Sequence, residues 1–95
     1  MIVASAIKFY FEDDVEHKFP QILTGLRHAD IFERMFTLGI KYDKESHVQG
    51  FITDDDTFFD RYMAMAYAYL EDQVGTEQFK NNCQLYSEDL WPEDE

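Results

Sequence analysis

The segment from Gly50 to Gln73, GFITDDDTFFDRYMAMAYAYLEDQ, constrains the fold of this chain more than any other stretch. Phe51 and Ile52 favour a β-strand, and two phenylalanines resume the apolar pattern after three consecutive aspartates. Aspartate hydrogen-bonds its own backbone and tolerates turn dihedrals, so the aspartates at 54–56 predict a hairpin turn. Asp60 then stands where a helix N-cap belongs. The segment therefore predicts a strand, a tight turn, a short strand and a helix.

The first half of the chain predicts the same order of elements. Ile2–Phe11 and Phe19–Thr24 favour strands joined by a charged turn, which together predict a hairpin. A helix follows, because apolar residues recur at helical spacing before Gly39, a natural helix end. The ββα-ββα order predicts the α+β class, with a small antiparallel sheet of three to five strands and two helices, near 28–38 and 60–72, on one face. The predicted core contains Ile7, Phe9, Ile31, Met35, Phe51, Ile52, Ala64 and Ala68.

The last quarter of the chain is less regular. Thr76–Gln84 predicts a short helical turn or a loop, and Gln84–Tyr86 a final strand or a packed segment. Ser87–Trp91 predicts a capped turn that tucks Leu90 and Trp91 against the body. We expect one domain over residues 1–91 and an acidic C-terminal end at 92–95.

The charge balance limits the partners of the chain. Eight basic residues stand against 20 acidic ones, for a net charge of −12. Direct binding of nucleic acid or of an anionic membrane is disfavoured, because both require clustered Lys and Arg. A basic host protein is a permitted partner, and the acidic surface would then imitate a nucleic-acid backbone. The alternative is that the acidic excess only keeps the domain soluble.

Cysteine and hydropathy patterns indicate a cytoplasmic protein. Cys83 is the single cysteine, which fits a reducing compartment. No apolar run is long enough to cross a bilayer, and no signal-peptide pattern is visible. We expect the host-cell cytoplasm if the protein is phage-encoded.

Nine Phe, six Tyr and one Trp are many aromatic side chains for 95 residues. A small monomer cannot easily bury them all, so a homo-oligomer is expected. Its interface would use aromatics of the Tyr62–Tyr69 helix or of the Leu85–Trp91 segment. The alternative is an aromatic-rich core with tyrosine hydroxyls at the surface.

The chain contains no motif of an enzyme, a cofactor site or a metal site. G-x-S-x-G, G-x-x-x-x-G-K-[ST] and G-x-G-x-x-G are all absent. A calcium loop starting at Asp54 requires glycine at its sixth position, where Phe59 stands. His17, His28 and His47 show no metal-ligand spacing. We therefore expect no catalysis, no cofactor and no metal.

One constellation suits an anion. Arg27 and His28 open the first predicted helix, and Asp60 and Arg61 open the second. Helix N-termini present free N–H groups and partial positive charge, and arginine binds phosphate with two parallel hydrogen bonds. If both starts face one cleft, within a subunit or across an interface, they form a phosphate site.

Two further residues complete this predicted site. Gly50 would let a ligand approach the backbone, and Phe51 or a nearby tyrosine would stack on a base. The alternative is structural: Asp30 or another carboxylate neutralises Arg27, His28 packs, and Asp60 is only an N-cap.

Four pieces of the chain, in order, resemble a small family of phage and prophage proteins. They are the Ala-rich strand with Ala4, Ala6 and Ile7; the G-x-R-H-x-x-I segment at 25–31; the G-F, acidic turn and F-x-D-R-x-x-A pattern at 50–64; and the closing L-x-S-E-D-L-W at 85–91. Asp56 and Asp72 stand where this family usually has glycine, which predicts altered turns. The family is similar in outline to Thoeris anti-defence proteins. The resemblance implies a non-enzymatic phage protein that binds and sequesters a small anionic nucleotide signal.

Overall fold

The computed structural model describes residues 1–81 and 84–91, so the predictions for Cys83 and for the acidic end at 92–95 lie outside the described residues. Four strands and four helices follow in chain order. They are β1 (Ile2–Phe9), β2 (Gln21–Gly25), α1 (His28–Thr37), β3 (Val48–Thr53), β4 (Phe58–Asp60), α2 (Arg61–Leu70), α3 (Thr76–Asn81) and α4 (Ser87–Leu90).

The strands form one antiparallel sheet in the order β2-β1-β3-β4. β1 is central and pairs with β2 from Ser5 opposite Gly25 to Phe9 opposite Gln21. β4 closes the second hairpin on β3, with Phe59 opposite Phe51. The predicted α+β class, both hairpins and the ββα-ββα order are confirmed.

Both long helices lie on the same face of the sheet. The side chains of directly paired residues on neighbouring strands lie on the same face of a sheet. Ser5 on β1 pairs with Phe51 on β3, so their side chains share a face. Two residues further along β1, Ile7 shares that face and packs in a cluster with Ile31 of α1. Phe51 packs in a second cluster with Ala64 of α2. The sheet face that carries Ser5 and Phe51 is therefore the one that both helices cover.

The predicted core is confirmed in full. Its residues at 7, 9, 31, 35, 51, 52, 64 and 68 are all buried. Ala64 and Ala68 are fully buried, which shows that α2 lies close on the sheet. Met65, Val74 and Leu85 complete the cluster around α2.

The ends of the elements follow local chemistry. The Asp60 carboxylate accepts a hydrogen bond from Met63 N at 2.8 Å, as expected of an N-cap. Gly39 follows α1 with a φ of 67°, the left-handed conformation that ends many helices. Asp56 and Asp72 also have positive φ, 65° and 58°. Glycine adopts this conformation without steric cost, and aspartate is among the residues that tolerate it.

Several element bounds differ from the prediction. β1 ends at Phe9 rather than Phe11, because the chain leaves the sheet for a turn and only an isolated bridge joins Phe11 to Tyr42. Residues 84–86 form no strand; instead Leu85 N donates to the Arg61 carbonyl and the Leu85 side chain is buried. Along the described part of the chain, no helix has the length and apolar character needed to cross a bilayer.

Candidate functional site

The structure brings Arg27, His28 and Arg61 together at one cavity, as the sequence predicted. The cavity has a volume of about 250 Å³ and lies at the start of α1. Its walls are Arg27, His28, Ala29, Asp30, Arg61, Tyr86 and Ser87. We call it the arginine cavity.

Three elements hold these side chains in place. The His28 ring is buried, donates from Nε2 to the Gly50 carbonyl at 2.8 Å, and contacts the Phe51 ring edge-on. This bond ties the start of α1 to β3. Leu85 N donates a hydrogen bond to the Arg61 carbonyl, which holds the segment before α4 next to the start of α2. Tyr86 thereby reaches the Arg61 guanidinium, which stacks on its ring at 4.8 Å from the centroid.

Among the side chains that the structure describes, which leave out those of Asn81 and Glu88 and residues 82–83 and 92–95, no carboxylate forms an ion pair with Arg27 or Arg61. Arg61 Nη2 donates to Gln49 Oε1 at 2.7 Å, a neutral acceptor. Arg27 Nη1 and Arg61 Nε are shielded from solvent and have no hydrogen-bond partner among the described side chains. An unsatisfied buried donor costs roughly 1–3 kcal/mol, more if charged, so each of these two nitrogens favours an acceptor, either water or a ligand.

The start of α1 adds to the positive potential. Its first intrahelical hydrogen bond runs from Ile31 N to the Arg27 carbonyl, so the N–H groups of Ala29 and Asp30 have no acceptor within the helix. The N-terminal end of a helix carries partial positive charge. The exposed Asp30 carboxylate opposes it from the rim. Two arginines and one aspartate among the lining residues give the lining a positive formal charge in an acidic protein.

Gly50 and Phe51 do not line the arginine cavity, which corrects their predicted role as ligand contacts. Phe51 has an exposure of 0% and belongs to the core, so its ring offers no surface to a base. Gly50 is required by the sheet instead: a Cβ there would lie 2.1 Å from the Phe59 carbonyl oxygen. Its contribution to the site is the carbonyl that accepts from His28.

Arg61 also lines a second cavity. It has a volume of about 300 Å³ and lies beside the starts of β3 and α2. Its walls are His47, Val48, Gln49, Asp60, Arg61, Tyr62 and Gln84. Gln84 Nε2 donates to the Tyr62 hydroxyl at 3.0 Å. We call it the glutamine cavity.

A larger cavity lies elsewhere. It has a volume of about 670 Å³ and is formed where the β1–β2 connection meets the end of α1. Phe11, Leu38 and Ile40 supply apolar walls, and Glu12 and Asp13 supply carboxylates. Lys41 is its single basic lining residue. This chemistry suits a cationic group rather than a phosphate.

A Ser–His–Asp cluster on the surface lacks the geometry of a catalytic relay. His17 Nε2 lies 3.0 Å from Asp43 Oδ2 and 3.4 Å from Ser46 Oγ. In a relay the carboxylate and the hydroxyl contact opposite ring nitrogens, whereas here both contact the same one. Hydrogen bonding from Ser46 lowers the pKa of Asp43, which marks a stabilised surface carboxylate. In the described ranges, no group of three or more His, Cys, Asp or Glu side chains could hold a metal ion.

Sequence reasoning missed Tyr86 and Ser87, two of the seven residues that line the arginine cavity. Tyr86 and Ser87 lie 25 or more positions beyond Arg61, and no local pattern places them beside it. Gln49 was missed because a glutamine before a strand glycine carries no signal of its own. The closing L-x-S-E-D-L-W segment was the available hint, since it is a run of polar residues held between two apolar ones.

The fold and the site define a small α+β protein with a positive cavity where α1 begins, beside the first residue of α2. The chain belongs to the phage T4 y16D protein family, whose model matches residues 1–91. The resemblance to a small phage family is thereby confirmed. Comparison with curated proteins and with solved structures finds no match.

Proposed function

We propose that this phage-family protein binds a small anionic nucleotide signal in the arginine cavity and holds it without cutting it, as an anti-defence protein. The observation that supports this most is that neither Arg27 nor Arg61 forms an ion pair with any carboxylate whose side chain is described. Acidic residues outnumber basic ones by 20 to 8, so carboxylates are abundant partners for any arginine. Two arginines that share a cavity without a described carboxylate partner support binding of an anion from outside the chain.

The local charge offsets the poor long-range attraction of the chain for anions. A net charge of −12 repels a phosphate at a distance, but salt screens this repulsion beyond about 8–10 Å. Inside the cavity the guanidinium groups and the start of α1 act at contact distance, where charge-assisted hydrogen bonds are strong. Ligand capture therefore depends on contacts rather than on steering.

Sequestration fits these residues better than turnover does. Arginine and backbone N–H groups bind a phosphate in its ground state, and binding alone accelerates no reaction. The role in anti-defence rests on the resemblance to the Thoeris type, and membership of a phage family agrees with it. A protein that only holds its ligand requires affinity and sufficient copies.

Calorimetry against a panel of cyclic nucleotides and cyclic ADP-ribose isomers tests the proposal. Arg27→Ala and Arg61→Ala each remove a charge-assisted contact worth roughly 1.5–3 kcal/mol, so each should weaken binding at least about tenfold. Arg61→Lys keeps the charge but loses the planar donors, and should also weaken binding. Lys44→Ala removes an equal charge from an exposed connection and should leave affinity unchanged.

Recovery of the ligand after incubation separates holding from cutting. We expect every bound nucleotide to be recovered intact. Turnover of any panel member would contradict the non-enzymatic part of the proposal. Binding indifferent to both alanine variants, with folding intact, would contradict the assigned site.

The acidic, apolar cavity at Phe11 favours a second candidate: an interaction protein that occupies the groove of a basic, DNA-binding host protein. Glu12 and Asp13 are exposed there beside Phe11 and Leu38, and neither carboxylate forms an ion pair within the described residues. Pull-down from host lysate at low and high salt tests it. A basic DNA-binding protein released by salt, and lost in an E12K/D13K variant, would support this candidate over sequestration.

A further inference from the structure

Arg61 lines both the arginine cavity and the glutamine cavity. Gln49 holds the guanidinium through Nη2, and the Tyr86 ring supports one of its faces. Both cavities are therefore fixed relative to the same side chain.

Volume favours a ligand that occupies both cavities. Ligand pockets commonly measure roughly 300–1,000 Å³. At about 250 and 300 Å³ each cavity alone is at or below the lower limit of that range, whereas together they lie well inside it.

Charge limits how many phosphates such a ligand can carry. The arginine cavity combines Arg27 and Arg61 with the rim carboxylate of Asp30. The glutamine cavity adds the Asp60 carboxylate and no further basic residue except His47. A second phosphate in the glutamine cavity would meet Asp60 without a new arginine or lysine to balance it.

The glutamine cavity instead suits a neutral polar body. The amides of Gln49 and Gln84 offer donors and acceptors, and Val48 and Tyr62 offer partly exposed apolar surface. Asp60 Oδ1 caps α2, and the carboxylate of this lining residue has a second oxygen that can accept a hydrogen bond from a sugar hydroxyl. A ribose with its base presents these complementary groups.

We propose that the two cavities form one site for a ligand with a single phosphate group and a neutral sugar–base body, of the nucleoside monophosphate class. This inference rests on the proposed function, because it assigns the phosphate to Arg27 and Arg61. It excludes polyphosphates and dinucleotides as preferred ligands.

Calorimetry with three probes tests it: inorganic phosphate, adenosine 5′-monophosphate and adenosine triphosphate. The monophosphate should bind at least about tenfold more tightly than inorganic phosphate, since contacts worth roughly 1.4 kcal/mol give that ratio. The triphosphate should bind no more tightly than the monophosphate. Gln84→Ala should reduce the advantage of the monophosphate several-fold and leave inorganic phosphate unaffected. Gln21→Ala, on the distant strand β2, is the matched control and should change neither affinity.

The outcomes distinguish this inference from the proposed function. If monophosphate and inorganic phosphate bind equally, and both are lost in Arg27→Ala, the arginine site stands and the two-part ligand is wrong. A triphosphate or a cyclic ADP-ribose isomer that binds more than tenfold better than the monophosphate would also overturn the inference alone. If neither these three probes nor any member of the nucleotide panel binds the wild-type protein, the inference and the proposed function are both wrong.

Discussion

Replacing Gly50 with alanine should destabilise the protein strongly, and the structure gives the reason. A Cβ at this position would lie 2.1 Å from the Phe59 carbonyl oxygen, 2.7 Å from Phe58 Cζ and 3.0 Å from Asp60 Cα. Two of these three atoms are backbone of β4, which cannot move aside by rotating a side chain. Gly50→Ala therefore forces β3 and β4 apart.

The expected cost is at the upper end of overpacking effects. Extra methyl groups in a packed site typically cost 1–3 kcal/mol, and occasionally more. Because backbone must move here, we expect about 3 kcal/mol or more in the free energy of unfolding. For a domain of this size that corresponds to a fall in Tm on the order of 12–24 °C. Urea titration followed by circular dichroism measures the change directly.

Two other glycines provide matched controls. An added Cβ at Gly39 meets nothing within 4 Å, but its φ of 67° is strained for alanine, so Gly39→Ala should cost about 1–2 kcal/mol. At Gly75 the nearest atom, Gln78 Oε1, lies at 3.6 Å, an ordinary contact, so Gly75→Ala should change stability by less than about 1 kcal/mol. If Gly50→Ala costs no more than Gly75→Ala, the close approach of β4 to Gly50 is wrong.

Three further predictions concern packing, acidity and assembly. Ala68→Leu should destabilise by roughly 1–3 kcal/mol in thermal unfolding, because this fully buried alanine sets how closely α2 lies on the sheet; unchanged stability would mean that another face of α2 is buried. A hydrogen bond from the Ser46 hydroxyl is the chief cause of the lowered pKa of Asp43. The ionised carboxylate therefore stabilises the fold above the ordinary pKa of 3.8, and this stabilisation is lost as pH falls through the lowered pKa of the folded state. Asp43→Asn should make the free energy of unfolding less dependent on pH in the acid range, and an unchanged dependence would refute this. Light scattering at micromolar concentration should give at least a dimer mass, with Leu70→Lys on the exposed side of α2 as a probe of the interface; a monomer mass for the wild type would contradict the prediction.

The fold was predictable because its determinants are local. The spacing of Ile31 and Met35 predicts the buried face of α1, and the two alanines four residues apart predict the buried face of α2. Asp60 predicts the start of a helix because its carboxylate can cap free N–H groups. Gly39 predicts the end of a helix because, without a side chain, it adopts a positive φ at no steric cost. These residues indicate the helices on which they lie whichever residues pack against those helices.

The site was only partly predictable because it depends on contacts between distant segments. Helix position alone identified Arg27 and Arg61 as candidates. Nothing in the sequence shows that Leu85 hydrogen-bonds to the Arg61 backbone, which is what brings Tyr86 into the cavity. Phe51 illustrates the opposite error: the same apolar ring was predicted both as core and as a stacking surface, and only burial in the fold decides between them.

Nuclear magnetic resonance of the arginine side chains tests the central claim most directly. The chain contains three arginines, Arg27, Arg34 and Arg61, so three Nε–Hε signals report on them individually. On titration with adenosine 5′-monophosphate, we expect the Arg27 and Arg61 signals to shift and their exchange with water to slow. Arg34, whose Nη2 already donates to the Thr24 carbonyl, should remain unchanged. Binding of the nucleotide that leaves the Arg27 and Arg61 signals unmoved would contradict the account.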